Sequence, residues 1–230
     1  MFKYLMDYPK YFNPKNSLQL FGLENNFNFL SSLYLKNKLP KVLMLSGLKG
    51  IGKSTLINHL LFSIFDEQNY DKTKYTLSDT SSLYKKLEGG IFQNILYLKG
   101  SDFKLSKVDD IRNLKSIILQ SSMINKDRFI ILDDIELFNK NSLNALLKVI
   151  EEPNKRNYFL LINSKTKPIL DTIKSRSLEV KIILNKNERI KIIKELIKFH
   201  NIEVILDPES SKLTPGNFLK FNYAFDEYDI

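Results

Sequence analysis

Residues 47–55 read Gly47-Leu48-Lys49-Gly50-Ile51-Gly52-Lys53-Ser54-Thr55. An apolar run, Val42-Leu43-Met44-Leu45, stands before this stretch, and a helical pattern of apolar residues follows it from Leu56. The order of strand, glycine-rich loop and helix is the one that a phosphate-binding loop requires. Glycines let successive backbone N–H groups turn inward around an anion, and the helix N-terminus adds its partial positive charge. The alternative is an ordinary glycine-rich turn between a strand and a helix.

The pattern predicts a role for most residues of this loop. It predicts nucleotide binding by seven residues: Gly47, Gly50, Ile51, Gly52, Lys53, Ser54 and Thr55. Lys53 is expected to reach the outer phosphates, and the Ser54 hydroxyl is expected to ligate Mg²⁺. The loop therefore predicts a nucleotide and Mg²⁺ as ligands.

A second stretch supplies acidic groups. The apolar run Phe129-Ile130-Ile131-Leu132 ends in Asp133 and Asp134. A buried strand that ends in carboxylates, downstream of a phosphate loop, is the Walker B arrangement. We expect Asp133 to hold Mg²⁺ through water and Asp134 to be the base that activates the attacking water. The alternative is an Asp-Asp turn that merely follows a strand.

The composition restricts the class of protein. The 230 residues are 43% hydrophobic and 27% charged, as in globular proteins. The chain has no cysteine, which excludes disulfides, thiolate zinc sites and cysteine nucleophiles and suits the cytoplasm. Its two histidines, His59 and His200, stand apart in helical patterns, where we read them as ordinary helix residues.

No apolar run is long enough to cross a bilayer, so no membrane partner is expected. The net charge of +9 is spread along the chain and supports nucleic-acid contact weakly.

Apolar runs alternate with helical patterns along most of the chain. Strands are expected at residues 41–46, 95–98, 129–132, 158–162 and 178–184. Helices are expected at residues 25–37, 56–65, 106–118, 141–152, 168–174, 187–200 and 218–225. This alternation predicts an α/β fold with a mainly parallel sheet. Residues 66–90 are read as an irregular insertion. The pattern changes near residue 185, so we expect a nucleotide-binding core over residues 1–184 and a small helical appendage over 185–230.

Three stretches carry a family resemblance: Phe129-Ile-Ile-Leu-Asp-Asp-Ile-Glu136, Asn144-Ala-Leu-Leu-Lys-Val-Ile-Glu-Glu-Pro153 and Ser175-Arg-Ser177. Together they resemble the bacterial clamp-loader branch of the AAA+ proteins, and within it the delta-prime subunits of DNA polymerase III. The match is good over residues 14–184 and looser beyond them. The resemblance implies an AAA+ P-loop core that takes ATP as its nucleotide, with residues 185–230 as a small helical lid. It also implies membership of a five-subunit ring that opens the sliding clamp and places it on primed DNA.

The resemblance also implies roles for two further residues. Arg176 matches the position that donates an arginine finger to the ATP of a neighbouring subunit. Asn163, at the end of the strand over 158–162, matches the sensor-1 position, whose amide orients the lytic water. The implied partners are the delta and gamma/tau subunits, with the clamp and primed DNA reached through the complex. From the residues alone, an arginine that caps helix carbonyls is the alternative for Arg176.

The sequence departs from the family pattern in several places. Asp134 stands where active members carry glutamate, and residues 214–217 lack the sensor-2 arginine, so we expect weak or absent hydrolysis by this chain. Ser177 replaces a cysteine, and the four-cysteine zinc module is missing, so no zinc is expected. The sequence stops at Ile230, before the position of the collar domain in this family, so we expect either a shortened chain or a different assembly. A gamma/tau-like motor subunit and a stand-alone P-loop NTPase or kinase are the alternative functions.

Overall fold

The computed structural model describes residues 9–88, 92–103, 118 and 126–228. The chain divides into two compact units, and each interleaves with the other along the sequence. Unit 1 contains the described parts of Met1–Phe27, Gly50–Lys85 and Leu184–Ile230, and unit 2 contains those of Asn28–Lys49 and Lys86–Ile183. The sequence instead predicts two consecutive domains, 1–184 and 185–230, and this division stays a prediction.

Strands and helices alternate along much of the described chain. The described strands are β1 Val42–Ser46, β2 Tyr70–Asp71, β3 Thr76–Leu77, β4 Ile95–Lys99, β5 Arg128–Asp133, β6 Asn157–Asn163 and β7 Leu178–Lys181. The described α-helices are α1 Glu24–Leu35, α2 Lys53–Phe65, α3 Ser82–Glu88, α4 Lys140–Glu151, α5 Asp171–Lys174, α6 Lys186–His200 and α7 Pro215–Tyr228. Among the described helices, none is both long and apolar enough to cross a membrane.

Five strands form the sheet of unit 2, in the order β4-β5-β6-β1-β7. Every neighbouring pair in this sheet is parallel. The predicted α/β fold with a mainly parallel sheet is therefore confirmed. Because parallel strands end at the same edge, the segments that follow β1, β5 and β6 lie at one carboxyl edge. In this order β6 lies between the strand that precedes the glycine loop and the strand that ends in the acidic pair.

The interior of unit 2 follows the period-two alternation of its strands. Alternate residues such as Met44, Ile130 and Phe159 belong to one buried cluster with Leu146 of α4 and Ile173 of α5. The intervening strand residues are buried as well, which explains why these strands read as continuous apolar runs. Helix α4 begins at an Asn139 side chain that accepts a hydrogen bond from the N–H of Ser142, and it ends just before Pro153.

Unit 1 contains α2, the β2–β3 hairpin and the C-terminal helices. Helix α6 begins with a capping box, in which Asn185 and Glu188 each accept a hydrogen bond from the other's backbone N–H. It ends at Asn201, whose φ of 50° is left-handed. Ile193 of α6 packs with Phe218 and Leu219 of α7 in a small apolar cluster. This cluster holds the last two helices together.

Several sequence expectations about elements were wrong. The described part of residues 66–90 is not irregular, since it contains the β2–β3 hairpin and α3. The strands of this hairpin are two residues long, too short to show a period. The helix expected over 168–174 begins only at Asp171, because Leu170 is extended with a ψ of 134°. Strand β7 ends at Lys181 rather than at residue 184, and α7 is longer than expected at both ends. The helix expected over 106–118 lies outside the described residues except for Ile118, which is helical and buried.

Candidate functional site

The glycine loop follows β1 and ends in the first turn of α2. Gly50 and Gly52 have φ angles of +82° and +101°, the left-handed region that glycine enters without strain. The N–H of Leu56 donates to the carbonyl of Gly52 at 2.9 Å and so begins the helix. Lys53, Ser54 and Thr55 therefore form the first turn of α2, and Lys53 is buried. The N–H groups of a first helical turn have no acceptor within the helix and lie at the positive end of its dipole. Such a turn binds phosphate.

The loop also contacts the start of α7 within unit 1. The N–H of Gly216 donates to the carbonyl of Gly50 at 2.8 Å. A β-carbon added at Gly50 would come within 2.6 Å of the Thr214 hydroxyl oxygen. The segment that lacks the sensor-2 arginine therefore touches the loop through its backbone. Nearby, the Arg189 guanidinium donates to the carbonyl of Leu213 at 3.1 Å, which ties α6 to the segment before α7.

Asp133 is the last residue of β5 and is held by two donors. The hydroxyl of Tyr97 on β4 donates to its Oδ2, and the N–H of Asp134 donates to its Oδ1 at 3.0 Å. Burial raises the pKa of the Asp133 carboxyl, the bond from Tyr97 offsets part of that rise, and the charge of Asp134 adds to it. The carboxylate is therefore fixed in orientation at the carboxyl edge of the sheet.

Asp134 is buried, and both of its carboxylate oxygens are contacted within unit 2. The hydroxyl of Ser164 donates to Oδ1 at 2.8 Å, and the ammonium of Lys49 lies 3.2 Å from Oδ2. The backbone of Asp134 is left-handed, with a φ of 50°, which is uncommon for a residue that is not glycine. Such backbone conformations persist where the surroundings over-determine them. The candidate base is therefore engaged by groups of its own chain.

Asn163 ends β6 and lies beside the start of the glycine loop. Its carbonyl oxygen accepts from the N–H of Gly47 at 3.1 Å. Its side-chain Oδ1 accepts a hydrogen bond from the N–H of Lys165 at 2.8 Å. The amide Nδ2 is the donor end of the side chain. The structure thus joins Gly47 and Asn163 directly.

A buried carboxylate joins the segments that follow β5 and β6. Oε1 of Glu136 accepts from the N–H of Ser164 at 3.1 Å, from the N–H of Thr166 at 3.3 Å and from the Thr166 hydroxyl at 2.9 Å. Its Oε2 is buried and makes no hydrogen bond within the described part of the chain. These contacts fix the turn that positions both Asn163 and Ser164.

Arg176 follows α5, and its guanidinium is engaged at two nitrogens. One nitrogen donates to the carbonyl of Thr172 at 2.9 Å and to the hydroxyl of Ser175 at 3.2 Å. The other lies 2.8 Å from a carboxylate oxygen of Glu151, the last residue of α4. The side chain is 36% exposed. Arg176 therefore caps a helix carbonyl, as the alternative interpretation expects, while its guanidinium stays at the surface.

His59 holds α2 in place and is more than an ordinary helix residue. Its Nδ1 lies 3.0 Å from the Tyr70 hydroxyl, and its Nε2 lies 3.0 Å from the carbonyl of Ser17. Burial lowers the pKa of His59 to about 4, so the ring is neutral near pH 7. A neutral ring donates from Nε2 and accepts at Nδ1, which matches both partners. His200 stacks on Tyr11.

The donor chemistry of the predicted magnesium ligands fits that ion. Ser54 offers a hydroxyl on the first turn of α2, and Asp133 offers a carboxylate at the sheet edge. Mg²⁺ prefers oxygen ligands and is usually held by one or two protein groups together with phosphates and water. Within the described ranges, no three His, Cys, Asp or Glu side chains gather as a metal site. The residues therefore suit a metal that arrives with a phosphate ligand.

Sequence reasoning missed several residues that contact the predicted site residues. Among them are Lys49, Tyr97, Ser164 and Glu151. Ser164 carried a signal, because a polar residue at the end of a buried strand falls at the carboxyl edge. The contacts of Lys49 and Tyr97 depend on which strands are neighbours, and the local sequence does not contain that information.

Comparison with solved structures identifies the fold. The RuvB Holliday junction branch migration motor of Thermotoga maritima superposes with a TM-score of 0.55 and 17% identity, covering 94% of this chain and 66% of RuvB. Domain III of the replication initiation protein DnaA of the same organism gives a TM-score of 0.55 at 12% identity, covering 96% of this chain and 91% of that domain. The chain has the P-loop AAA+ fold.

The family follows from the sequence match. The family described as DNA polymerase III, delta subunit, matches residues 22–186, and the chain belongs to this family. DNA polymerase III subunit gamma of Buchnera aphidicola (subspecies Schizaphis graminum) is 24% identical over 80% of this chain, and subunit tau of Escherichia coli is 24% identical over 85% of it. Subunit delta' of Pseudomonas aeruginosa is 36% identical over 32% of it. The chain spans 50%, 28% and 22% of these relatives, respectively.

Proposed function

We propose that this chain is a clamp-loader subunit of DNA polymerase III, which helps to place the sliding clamp on primed DNA. The family match over residues 22–186 carries this proposal. That range contains the glycine loop, the acidic end of β5 and the Ser-Arg-Ser segment. The proposed partners are the delta and gamma/tau subunits, with the clamp and the primed DNA reached through the complex.

Within the loader, we assign the chain to the delta-prime type. Three observations support this choice. Identity to the delta' relatives reaches 36%, though over short stretches. Asp134 replaces the glutamate of active members, and the start of α7 lacks the sensor-2 arginine. A subunit of this type contributes an arginine to a neighbour while its own turnover is slow.

The proposed nucleotide contacts use the geometry of the loop. The N–H groups of residues 50–55 surround the phosphates, and the ammonium of Lys53 neutralises the outer ones. Gly50 and Gly52 are required for the left-handed backbone that turns these N–H groups inward. Ser54 and Asp133 would hold Mg²⁺, which, when bound, neutralises developing charge on the phosphates. The amide Nδ2 of Asn163 is the proposed donor that orients the attacking water.

Slow hydrolysis by this chain follows from the surroundings of Asp134. A general base must come within hydrogen-bond reach of the water that it deprotonates. The Asp134 side chain is one methylene shorter than glutamate, and Lys49 and Ser164 occupy its two oxygens. Both contacts hold the carboxylate in one direction, so the attacking water would have to reach it in that orientation. We therefore assign nucleotide binding, rather than rapid turnover, to this chain.

Arg176 is the proposed arginine finger for the ATP of a neighbouring subunit. A guanidinium delivered in trans stabilises charge on the transferring phosphoryl group. In the purified loader, Arg176→Ala should lower ATP turnover by roughly 10³-fold, the lower end of the range for such residues. Nucleotide binding by this chain should not change, because Arg176 lies outside the glycine loop. Equal turnover of the wild-type and Arg176→Ala complexes would remove the finger role and leave the helix-capping role.

Membership of the loader is tested by co-purification. The tagged chain is recovered from the cells that make it, and the bound proteins are identified by mass spectrometry. Recovery of the other loader subunits and the clamp is the expected result. Their absence, from cells that contain a loader, would contradict the proposal and favour a stand-alone P-loop NTPase.

A gamma/tau-like motor subunit is the second candidate. It is favoured by the extent of the match, because the gamma and tau relatives align with 80% and 85% of this chain. A motor subunit hydrolyses ATP rapidly when primed DNA and clamp are present. Steady-state turnover by the loader that falls to background in this chain's Lys53→Ala variant, with the other subunits intact, would favour this candidate.

A further inference from the structure

The carboxylate of Glu151 holds the guanidinium of Arg176. Glu151 is the last residue of α4, and Arg176 lies two residues beyond the end of α5. A carboxylate oxygen of Glu151 lies 2.8 Å from one terminal nitrogen of Arg176. The other terminal nitrogen donates to the carbonyl of Thr172 at 2.9 Å. Two anchors on different helices therefore fix the direction of the guanidinium.

The exposure of the two side chains limits the strength of this ion pair. The side chains are 36% and 40% exposed for Arg176 and Glu151, respectively. An ion pair in such surroundings contributes little to stability, because solvent screens it and both side chains lose freedom. The contact is therefore strong enough to bias the direction of Arg176 and weak enough to be given up to a better anion.

A phosphate is such an anion. Guanidinium binds carboxylate and phosphate through the same fork of N–H donors, so one can replace the other without loss of hydrogen bonds. The phosphates of ATP carry more negative charge than a single carboxylate. Exchange from Glu151 to a phosphate would keep the charge of Arg176 paired throughout.

We propose that Glu151 is a positioning residue that holds Arg176 against its own chain until the nucleotide of a neighbouring subunit takes its place. The pair also links the C-terminal end of α4 to the residues that follow α5. The exchange step rests on the clamp-loader function proposed above, whereas the holding of Arg176 by Glu151 is a property of the isolated chain.

The test measures how readily Arg176 reacts with phenylglyoxal, which modifies accessible guanidinium groups. The labelling rate of the peptide that contains Arg176 is followed by mass spectrometry in the full chain and in Glu151→Gln. Loss of an exposed ion pair should raise the rate roughly two- to fivefold. Glu152→Gln is the matched control, since Glu152 is the next residue, is also exposed and carries the same charge. Unchanged labelling in Glu151→Gln, or an equal rise in Glu152→Gln, would overturn the proposal.

Salt provides a second measurement on the same proteins. Raising the ionic strength from about 0.05 M to about 0.5 M screens an exposed ion pair. Labelling of Arg176 should therefore accelerate with salt in the wild-type chain and stay constant in Glu151→Gln. Equal salt dependence in both proteins would contradict the ion pair as the cause.

The exchange step is tested in the assembled loader with ATP bound. There the wild-type chain and Glu151→Gln should label equally slowly, because a phosphate protects Arg176 in both. A difference that persists in the complex would show that Glu151 keeps Arg176, and the exchange step would be wrong. If no complex forms, the clamp-loader function fails, while the labelling of the isolated chain still decides whether Glu151 holds Arg176.

Discussion

The glycine loop and the acidic end of β5 belong to the same proposed chemistry, yet their surroundings differ. The loop has the left-handed glycines at positions 50 and 52 and the helix N-terminus that phosphate binding requires. At the end of β5, Lys49 and Ser164 occupy both carboxylate oxygens of the candidate base, Asp134. The proposed binding groups are therefore in place for a ligand, whereas the proposed base is already contacted by side chains of its own chain. Nucleotide binding and nucleotide turnover can be separated in one P-loop protein.

The largest effect on ATP binding is expected from Lys53, and Lys49 in the same loop provides the comparison. Lys53→Ala should weaken ATP binding by roughly 10³-fold, because it removes a buried charge from the outer phosphates. Lys49→Ala should change the dissociation constant less than about threefold, since the Lys49 ammonium contacts Asp134. Isothermal titration of each purified chain with ATP measures both. Equal losses in the two variants would contradict the division of tasks between these lysines.

The attachment of α2 is tested by pH through His59. The pKa of His59 is about 4 in the folded chain and 6.5 in the unfolded chain, so the unfolded chain binds more protons between these values. Stability should be unaffected above pH 6.5 and should fall by up to about 3 kcal/mol as the pH drops from 6.5 to 4. Urea unfolding at several pH values measures this loss.

His59→Asn separates this effect from that of other groups. The variant should be less stable at pH 7.5 but should lack this part of the pH dependence. The raised pKa of Asp133 acts with the opposite sign, because a carboxyl that binds protons more readily when folded gains stability as the pH falls. An unchanged pH dependence in His59→Asn would show that the ring does not control the acid stability of α2.

The contacts of Asp134 show how much of the fold and of the candidate site the sequence could predict. The glycine loop and the apolar strand that ends in Asp133 are local patterns, and both were found where expected. The Lys49 and Ser164 contacts of Asp134 join residues 85 and 30 positions apart, respectively. Such contacts follow from the strand order β4-β5-β6-β1-β7, which the alternation of strands and helices leaves undetermined. The β2–β3 hairpin was missed for a different reason, since its strands are too short for periodicity.

A smaller effect is expected from lengthening the candidate base. Asp134→Glu adds the missing methylene and should raise ATP turnover by this chain in the loader roughly tenfold, about 1.4 kcal/mol in the barrier. ATP binding should stay within about twofold, because the glycine loop is unchanged. Single-turnover kinetics with labelled ATP measures the rate. Unchanged turnover would show that the length of the side chain does not limit hydrolysis.

An effect of similar size, on stability, is expected from removal of the hydroxyl that holds Asp134. Ser164→Ala removes the 2.8 Å bond to Oδ1 of a buried carboxylate and should lower the free energy of unfolding by about 1–2 kcal/mol. Urea unfolding measures the loss. Ser175→Ala is a suitable control, because the Ser175 hydroxyl is exposed and its removal should change stability by less than about 0.5 kcal/mol. Equal losses would contradict a special role for Ser164.

Binding without rapid turnover is tested most directly by the fate of one bound ATP. The purified chain is mixed with less than one equivalent of labelled ATP and Mg²⁺, the bound nucleotide is separated, and its conversion to ADP is followed over minutes. We predict that the chain retains the nucleotide, that most of it is recovered as ATP, and that Lys53→Ala retains none. Rapid conversion to ADP that is lost in Lys53→Ala, or no retained nucleotide in the wild-type chain, would contradict the account.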